Sequence, residues 1–142
     1  MNDQSAARAK PAVIPPIDTI LIVDDDETCC FVAKRILQKY GFGQQIITVH
    51  NGLEALLKLQ TIATKGEKLP ELIFLDIKMP IMNGFEFLEE VTQITELNLS
   101  QTKIYVCTSS NHSKDKEQAS LFPIAGFITK PLTADVLVDI LV

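Results

Sequence analysis

The chain has no surplus of basic residues: among its 142 residues, 13 Lys and Arg stand against 18 Asp and Glu, a net charge of −5. A protein that grips nucleic acid displaces counterions from phosphates with a basic face, so DNA or RNA binding is not expected. Lys34, Arg35 and Lys39 fall on one predicted helix, and three such charges read as a solvated face. Cysteine is also scarce. Cys29, Cys30 and Cys107 make no CxxC or Cys/His spacing, which excludes the usual zinc sites and disulfide frameworks. They read as reduced thiols that serve as small buried hydrophobes. No apolar run approaches the ~18 residues of a membrane span. The first sixteen residues lack the apolar core of a secretory signal. The expectation is a cytoplasmic protein without membrane attachment.

What is present is ordinary for a globular domain: 46% apolar and 22% charged residues, in a length that suits one folding unit. Residues 1–17 are polar and Ala-rich with Pro15-Pro16 near their end, and are expected to form a disordered tail ahead of a single domain over 18–142. From Thr19 onward, short apolar runs rich in β-branched residues alternate with helical patterns. Strands are predicted at 19–23, 45–49, 72–75, 104–107 and 126–128. Helices are predicted at 27–40, 53–63, 85–94, 114–122 and 133–141. Phe31, Ile36 and Leu37 supply the apolar side of the first helix, and Leu53, Leu56, Leu57 and Leu59 that of the second. Gly41 stops the first helix, while Asp26, Asn51 and Asn83 are placed to cap the first three. Strands apolar on both faces and alternating with helices imply a doubly wound α/β fold with a five-stranded parallel sheet and helices on both faces. Counting units leaves the strand order open; 2-1-3-4-5 is one option. In any such order, the chemistry belongs at the carboxyl ends of the strands.

The residues there form a coherent set. Asp24, Asp25, Asp26 and Glu27 follow the first strand, and Asp76 the third. Thr108, Ser109 and Ser110 follow the fourth, and Lys130 and Pro131 the fifth. Carboxylates gathered on one rim repel one another and need protons or a cation. Hard oxygen donors suit Mg²⁺, which takes one or two carboxylates and a phosphate oxygen. Taken singly, each residue has a plainer reading: an Asp run caps a helix, Asp76 turns the chain, Lys130 is a surface lysine. In one place, an Asp carboxylate is also a nucleophile toward phosphorus, and a lysine steadies charge on phosphoryl oxygens.

Four strings, ILIVDDDE, LIFLDIKMPIMNG, VCTSS and GFITKP, together resemble the receiver domain of response regulators in two-component signalling, of the single-domain chemotaxis-regulator type. The likeness runs from Thr19 to the C-terminus. It implies the flavodoxin-like order 2-1-3-4-5. It implies that Asp76 is the phosphoacceptor, that Asp24, Asp25, Asp76 and the backbone carbonyl of Lys78 hold Mg²⁺, and that Thr108 and Lys130 contact the phosphoryl group. Thr108 and Phe127 would be the switch pair, and the Lys130–Pro131 bond would be cis. Implied partners are a sensor histidine kinase or histidine phosphotransfer protein and a downstream effector protein, with the chain a monomer or weak dimer.

Departures from the family pattern are Asn83 before Gly84, where a capping effect is expected, and Phe127, which lacks the phenol hydroxyl frequent there. Lys78 and Ser110 flank the site where hydrolysis is tuned. With nothing after Val142, the output is expected to be a protein contact, with Ile124, Phe127 and the last helix as its candidate surface. One rival reading takes Asp24-x-Asp26-x-Thr28, which resembles the nucleophile motif of haloacid-dehalogenase-type phosphatases, and makes the chain an enzyme. Another makes it a binding module that is never phosphorylated.

Overall fold

A computed structural model describes residues 17–109 and 113–141. The expected tail up to residue 16, Ser110 and Val142 lie outside the described residues. The order of elements is β1 (Thr19–Val23), α1 (Glu27–Lys39), β2 (Gln45–Val49), α2 (Gly52–Thr64), β3 (Leu72–Asp76), α3 (Gly84–Gln93), β4 (Lys103–Thr108), α4 (Ser113–Ala119), β5 (Gly126–Thr129) and α5 (Ala134–Leu141). All four strand pairings are parallel, and the sheet runs β2-β1-β3-β4-β5. No described helix is long and apolar enough to cross a membrane.

Side-chain alternation along the strands builds two cores. Leu21, Val23, Ile73, Leu75, Ile104 and Val106 face α2, α3 and α4. Ile20, Ile22, Leu72, Phe74, Cys107 and Ile128 face α1 and α5. A sheet buried on both faces needs continuous apolar strands, and β3 is buried at all five positions.

The caps explain where helices begin. Asp26 accepts from the Thr28 and Cys29 amides, and Asn51 from the Glu54 amide. Asn83 and Glu86 form a reciprocal capping box. Gly41 takes φ 74° just beyond α1, a left-handed conformation that glycine adopts without steric cost. Helix α4 ends at Ala119, short of the expected 122. Pro123 disfavours helical backbone at Phe122, and Phe122 N–H instead donates to Ala119 in a turn.

Two expected helix faces are corrected. Helix α1 buries Cys30, Ala33 and Leu37, while Phe31 is 61% exposed beneath the Arg35 guanidinium, 5.7 Å from its ring centre. Small residues at Cys30 and Ala33 let the helix sit close to the sheet, and a large ring there would hold it off. Helix α2 likewise buries Ala55, Leu56, Leu59 and Ile62 and leaves Leu53 and Leu57 exposed.

The loop after β3 closes tightly against the strand end. Gly84 N–H donates to Ile77 C=O at 2.8 Å, and a Cβ on Gly84 would stand 2.5 Å from the Asp76 carbonyl oxygen. Backbone on both sides leaves no flexible group to yield. Gly84→Ala is therefore expected to lower stability by ~2–3 kcal/mol, the range of core overpacking, as urea denaturation would measure.

Candidate functional site

Strands β1 and β3 are neighbours, yet their connections leave toward opposite faces: β1 leads to α1, and β3 to α3. This is a topological switch point, and such points open a crevice at the carboxyl edge. The ends of β1, β3, β4 and β5 deliver Asp24, Asp76, Thr108 and Lys130 to it.

Carboxylate oxygens of Asp24, Asp25 and Asp76 all lie within 4.8 Å of one another. Asp24 and Asp76 are buried, while Asp25 is exposed at the rim. Lys130 Nζ sits 2.6 Å from Asp24 Oδ2 and 3.5 Å from Asp76 Oδ1. The Asp26 amide donates to Asp24 Oδ1, and the Ile77 amide to Asp76 Oδ1, each at 2.9 Å. The Lys130 amide donates to the Thr108 carbonyl at 2.8 Å, which ties the ends of β4 and β5 together.

Burial pushes the Asp76 carboxyl up to about 6, against the pull of Lys130 and with a further push from Asp24. Burial pulls the Lys130 ammonium down, but the hydrogen bond to Asp24 and the charges of Asp76 and Asp24 outweigh it and hold it well above the usual lysine range. Asp26 is held below the usual range by the Cys29 and Thr28 amides, so its carboxylate serves the helix cap.

The cleft over these residues has a volume of about 430 Å³. Lys78 and Thr108 line it together with the acidic cluster and Lys130. Of the residues expected at the site, Asp24, Asp25, Asp76, Lys78, Thr108 and Lys130 thus share one cleft. Phe127 does not line it; it is half-buried against the core beneath α2, α3 and α4. The Lys130–Pro131 bond is cis. Asp115 and Cys29 also line the cleft and were not singled out from the sequence. Asp115 arrives through the first turn of α4, and only the helix boundary could have pointed to it. Cys29 follows Asp26 at the open edge of α1, where reading it as a small buried hydrophobe fails; Cys30 and Cys107 are buried.

Three carboxylates near one ammonium leave negative charge uncompensated. The oxygen-only donor set fits a hard divalent cation such as Mg²⁺.

Residues 20–142 match the response regulator receiver domain family, and the chain belongs to it. It is 34% identical over 116 residues to the chemotaxis protein CheY of Bacillus subtilis, covering 82% of this chain and 88% of that one. It is 26% identical over 140 residues to the sensor histidine kinase CheAY of Helicobacter pylori, but spans only 16% of that protein. Among solved structures, a two-component response regulator from Cytophaga hutchinsonii superposes with a TM-score of 0.79 at 28% identity, covering 88% of this chain and 94% of that one. The chemotaxis response regulator CheY4 of Vibrio cholerae does so with a TM-score of 0.72 at 26% identity, covering 88% and 96%. The family is a signalling one, and the strand order is the one its members share.

The raised Asp76 carboxyl has a consequence for stability. Its folded value, about 6, lies above the ordinary 3.8, so folding favours the neutral form. That contribution is complete below pH 3.8 and is lost as pH rises through 6, a displacement worth about 3 kcal/mol. In metal-free buffer with EDTA, Asp76→Asn is expected to exceed the wild type by ~2–3 kcal/mol at pH 8. The gap should close toward pH 4, as urea unfolding across that range would record.

Proposed function

We propose that this receiver domain accepts a phosphoryl group on Asp76 in a Mg²⁺-dependent step and signals through a changed protein-contact surface. The observation that carries this is Asp76 itself: a carboxylate at a strand end, 3.5 Å from a half-buried lysine and beside two further carboxylates. Asp24, Asp25, Asp76 and the Lys78 carbonyl would hold the ion. When bound, it would offset charge on the incoming phosphoryl oxygens.

The donor is a phosphohistidine on a sensor kinase or phosphotransfer protein. An Asp76 oxygen attacks phosphorus in line, the P–N bond to the imidazole breaks, and the released nitrogen takes up a proton from solvent. Lys130, already protonated, sits close enough to Asp76 to neutralise charge at the reacting oxygens. Burial first, and the Asp24 charge after it, raise the energy of ionised Asp76 and so favour its attack.

The phosphorylated side chain carries roughly two negative charges in place of one. Lys130 then has a stronger partner than Asp24 and shifts toward it. The hydrogen bond from its backbone N–H to the Thr108 carbonyl couples the shift to the end of β4, and the Thr108 hydroxyl turns to the same oxygens. Phe127, half-buried and paired with Val106 in the β4–β5 register, moves with that edge. The α4–β5–α5 face, including Ile124, thereby changes shape for an effector protein, a local charge biasing a two-state element. The setting is the cytoplasm, with the domain a monomer or weak dimer. The phosphatase-like reading fails to find its acid: Asp26 is an exposed cap occupied by the Thr28 and Cys29 amides.

Acetyl phosphate with Mg²⁺ tests the proposal. Intact mass should show one added phosphoryl group on the wild type, and none on Asp76→Asn or in EDTA. Lys130→Ala should slow labelling on the order of 100-fold, the cost of losing one charge-stabilising donor. A wild type that stays unmodified and binds no beryllium fluoride would make the domain a binding module instead.

A further inference from the structure

The cleft holds one more carboxylate than phosphorylation uses, and that carboxylate has no partner. Five carboxylates line the cleft, those of Asp24, Asp25, Asp26, Asp76 and Asp115. On the proposed reading, Asp24 and Asp25 hold the ion, and Asp76 becomes bonded to phosphorus. Asp26 is occupied as the cap of α1, accepting from the Thr28 and Cys29 amides. Asp115 is left. It is half-buried, and its carboxylate has neither a hydrogen bond nor an ion pair among the described residues.

The other groups in the cleft are poor proton acceptors. Lys78 and Lys130 line it, but an ammonium group only donates. Burial pushes the Cys29 thiol up, which keeps its proton on sulfur at neutral pH. Once Asp76 is phosphorylated, Asp115 is therefore the carboxylate in the cleft that is still able to take a proton.

Its place suits water rather than metal. Strand β3, which ends at Asp76, lies between β1 and β4 in the sheet. Asp24 and Asp25 follow β1 on one side, while Asp115 arrives in the first turn of α4, after β4 on the other. Asp115 is not among the carboxylates whose oxygens gather within 4.8 Å, so it stands outside the ion's donor set. A cleft of about 430 Å³ has room for waters beside a phosphoryl group, since each takes only about 30 Å³ in the liquid.

We infer that Asp115 is the base that readies water to hydrolyse the phosphoryl group on Asp76, and that it thereby sets how long the phosphorylated state lasts. The water oxygen bonds phosphorus, the bond from phosphorus to the Asp76 oxygen breaks, and Asp76 returns as a carboxylate. Asp115 takes the water's proton and passes it to solvent as inorganic phosphate leaves. The inference rests on the reading of Asp76 as phosphoacceptor.

The test separates losing the group from gaining it. Asp115→Asn keeps the shape of the side chain and removes its basicity; Asp115→Glu keeps the basicity. Each protein is labelled with acetyl phosphate and Mg²⁺, desalted into Mg²⁺ buffer, and followed by intact mass. Asp115→Asn should lose its phosphoryl group at least ~10-fold more slowly than the wild type, a modest share of what a positioned base contributes. It should gain the group no more slowly, because one negative charge fewer meets the anionic donor. Asp115→Glu should decay at a rate closer to the wild type's. In D₂O the wild-type decay should slow by a larger factor than that of Asp115→Asn, since only the wild type hands a proton to this carboxylate. Decay of Asp115→Asn as fast as the wild type's, or faster, would overturn the inference. So would equal slowing of gain and loss, the mark of a distorted cleft. A wild type that gains no phosphoryl mass would remove the phosphoacceptor reading, and the inference with it.

Discussion

The site is organised by the pairing of Lys130 with Asp24 at 2.6 Å across a sequence separation of 106 residues. A half-buried lysine and a buried aspartate are each costly alone, and pairing offsets part of that cost. The third member, Asp76, has only a share of Lys130 at 3.5 Å, and its carboxyl is pushed up to about 6. With Asp25 at the rim, three carboxylates face one ammonium. That excess of negative charge suits a divalent cation, and on the proposed reading Lys130 changes partners once a more negative group is carried on Asp76.

The fold exists around this constraint in a specific sense. Parallel strands put all their carboxyl ends on one edge, and the divergence of β1 and β3 opens the crevice there. The two cores on either side of the sheet fix the strand ends laterally. The backbone bond from Lys130 to Thr108 links the charged cluster to the β4–β5 edge. Charge at the cleft and shape at the α4–β5–α5 face are joined by a short chain of bonded groups.

Much of this was legible in the residues. Continuous apolar runs such as Leu72–Leu75 announced buried parallel strands, and the polar residues after the first, third, fourth and fifth runs announced the cleft. Capping residues Asp26, Asn51 and Asn83 announced helix starts because their side chains bond amides three residues on. What escaped was set by tertiary geometry. Phe31 and Leu57 fit an apolar stripe, but close approach of α1 and α2 to the sheet was decided by Cys30, Ala33 and Ala55. Asp115 reaches the cleft only because of where α4 begins. Ile81 gave no signal of a positive φ, since β-branched residues ordinarily avoid it; the hydrogen bonds around the loop impose it.

The central claim is that Lys130 exchanges Asp24 for a phosphoryl group carried on Asp76. A crystal structure with Mg²⁺ and beryllium fluoride, a stable mimic of that group, examines it directly. The account predicts fluoroberyllate bonded to an Asp76 carboxylate oxygen, the ion among Asp24, Asp25 and Asp76, and Lys130 Nζ within hydrogen-bond distance of a fluorine. A bare Asp76, with Lys130 still paired to Asp24 alone, would contradict it.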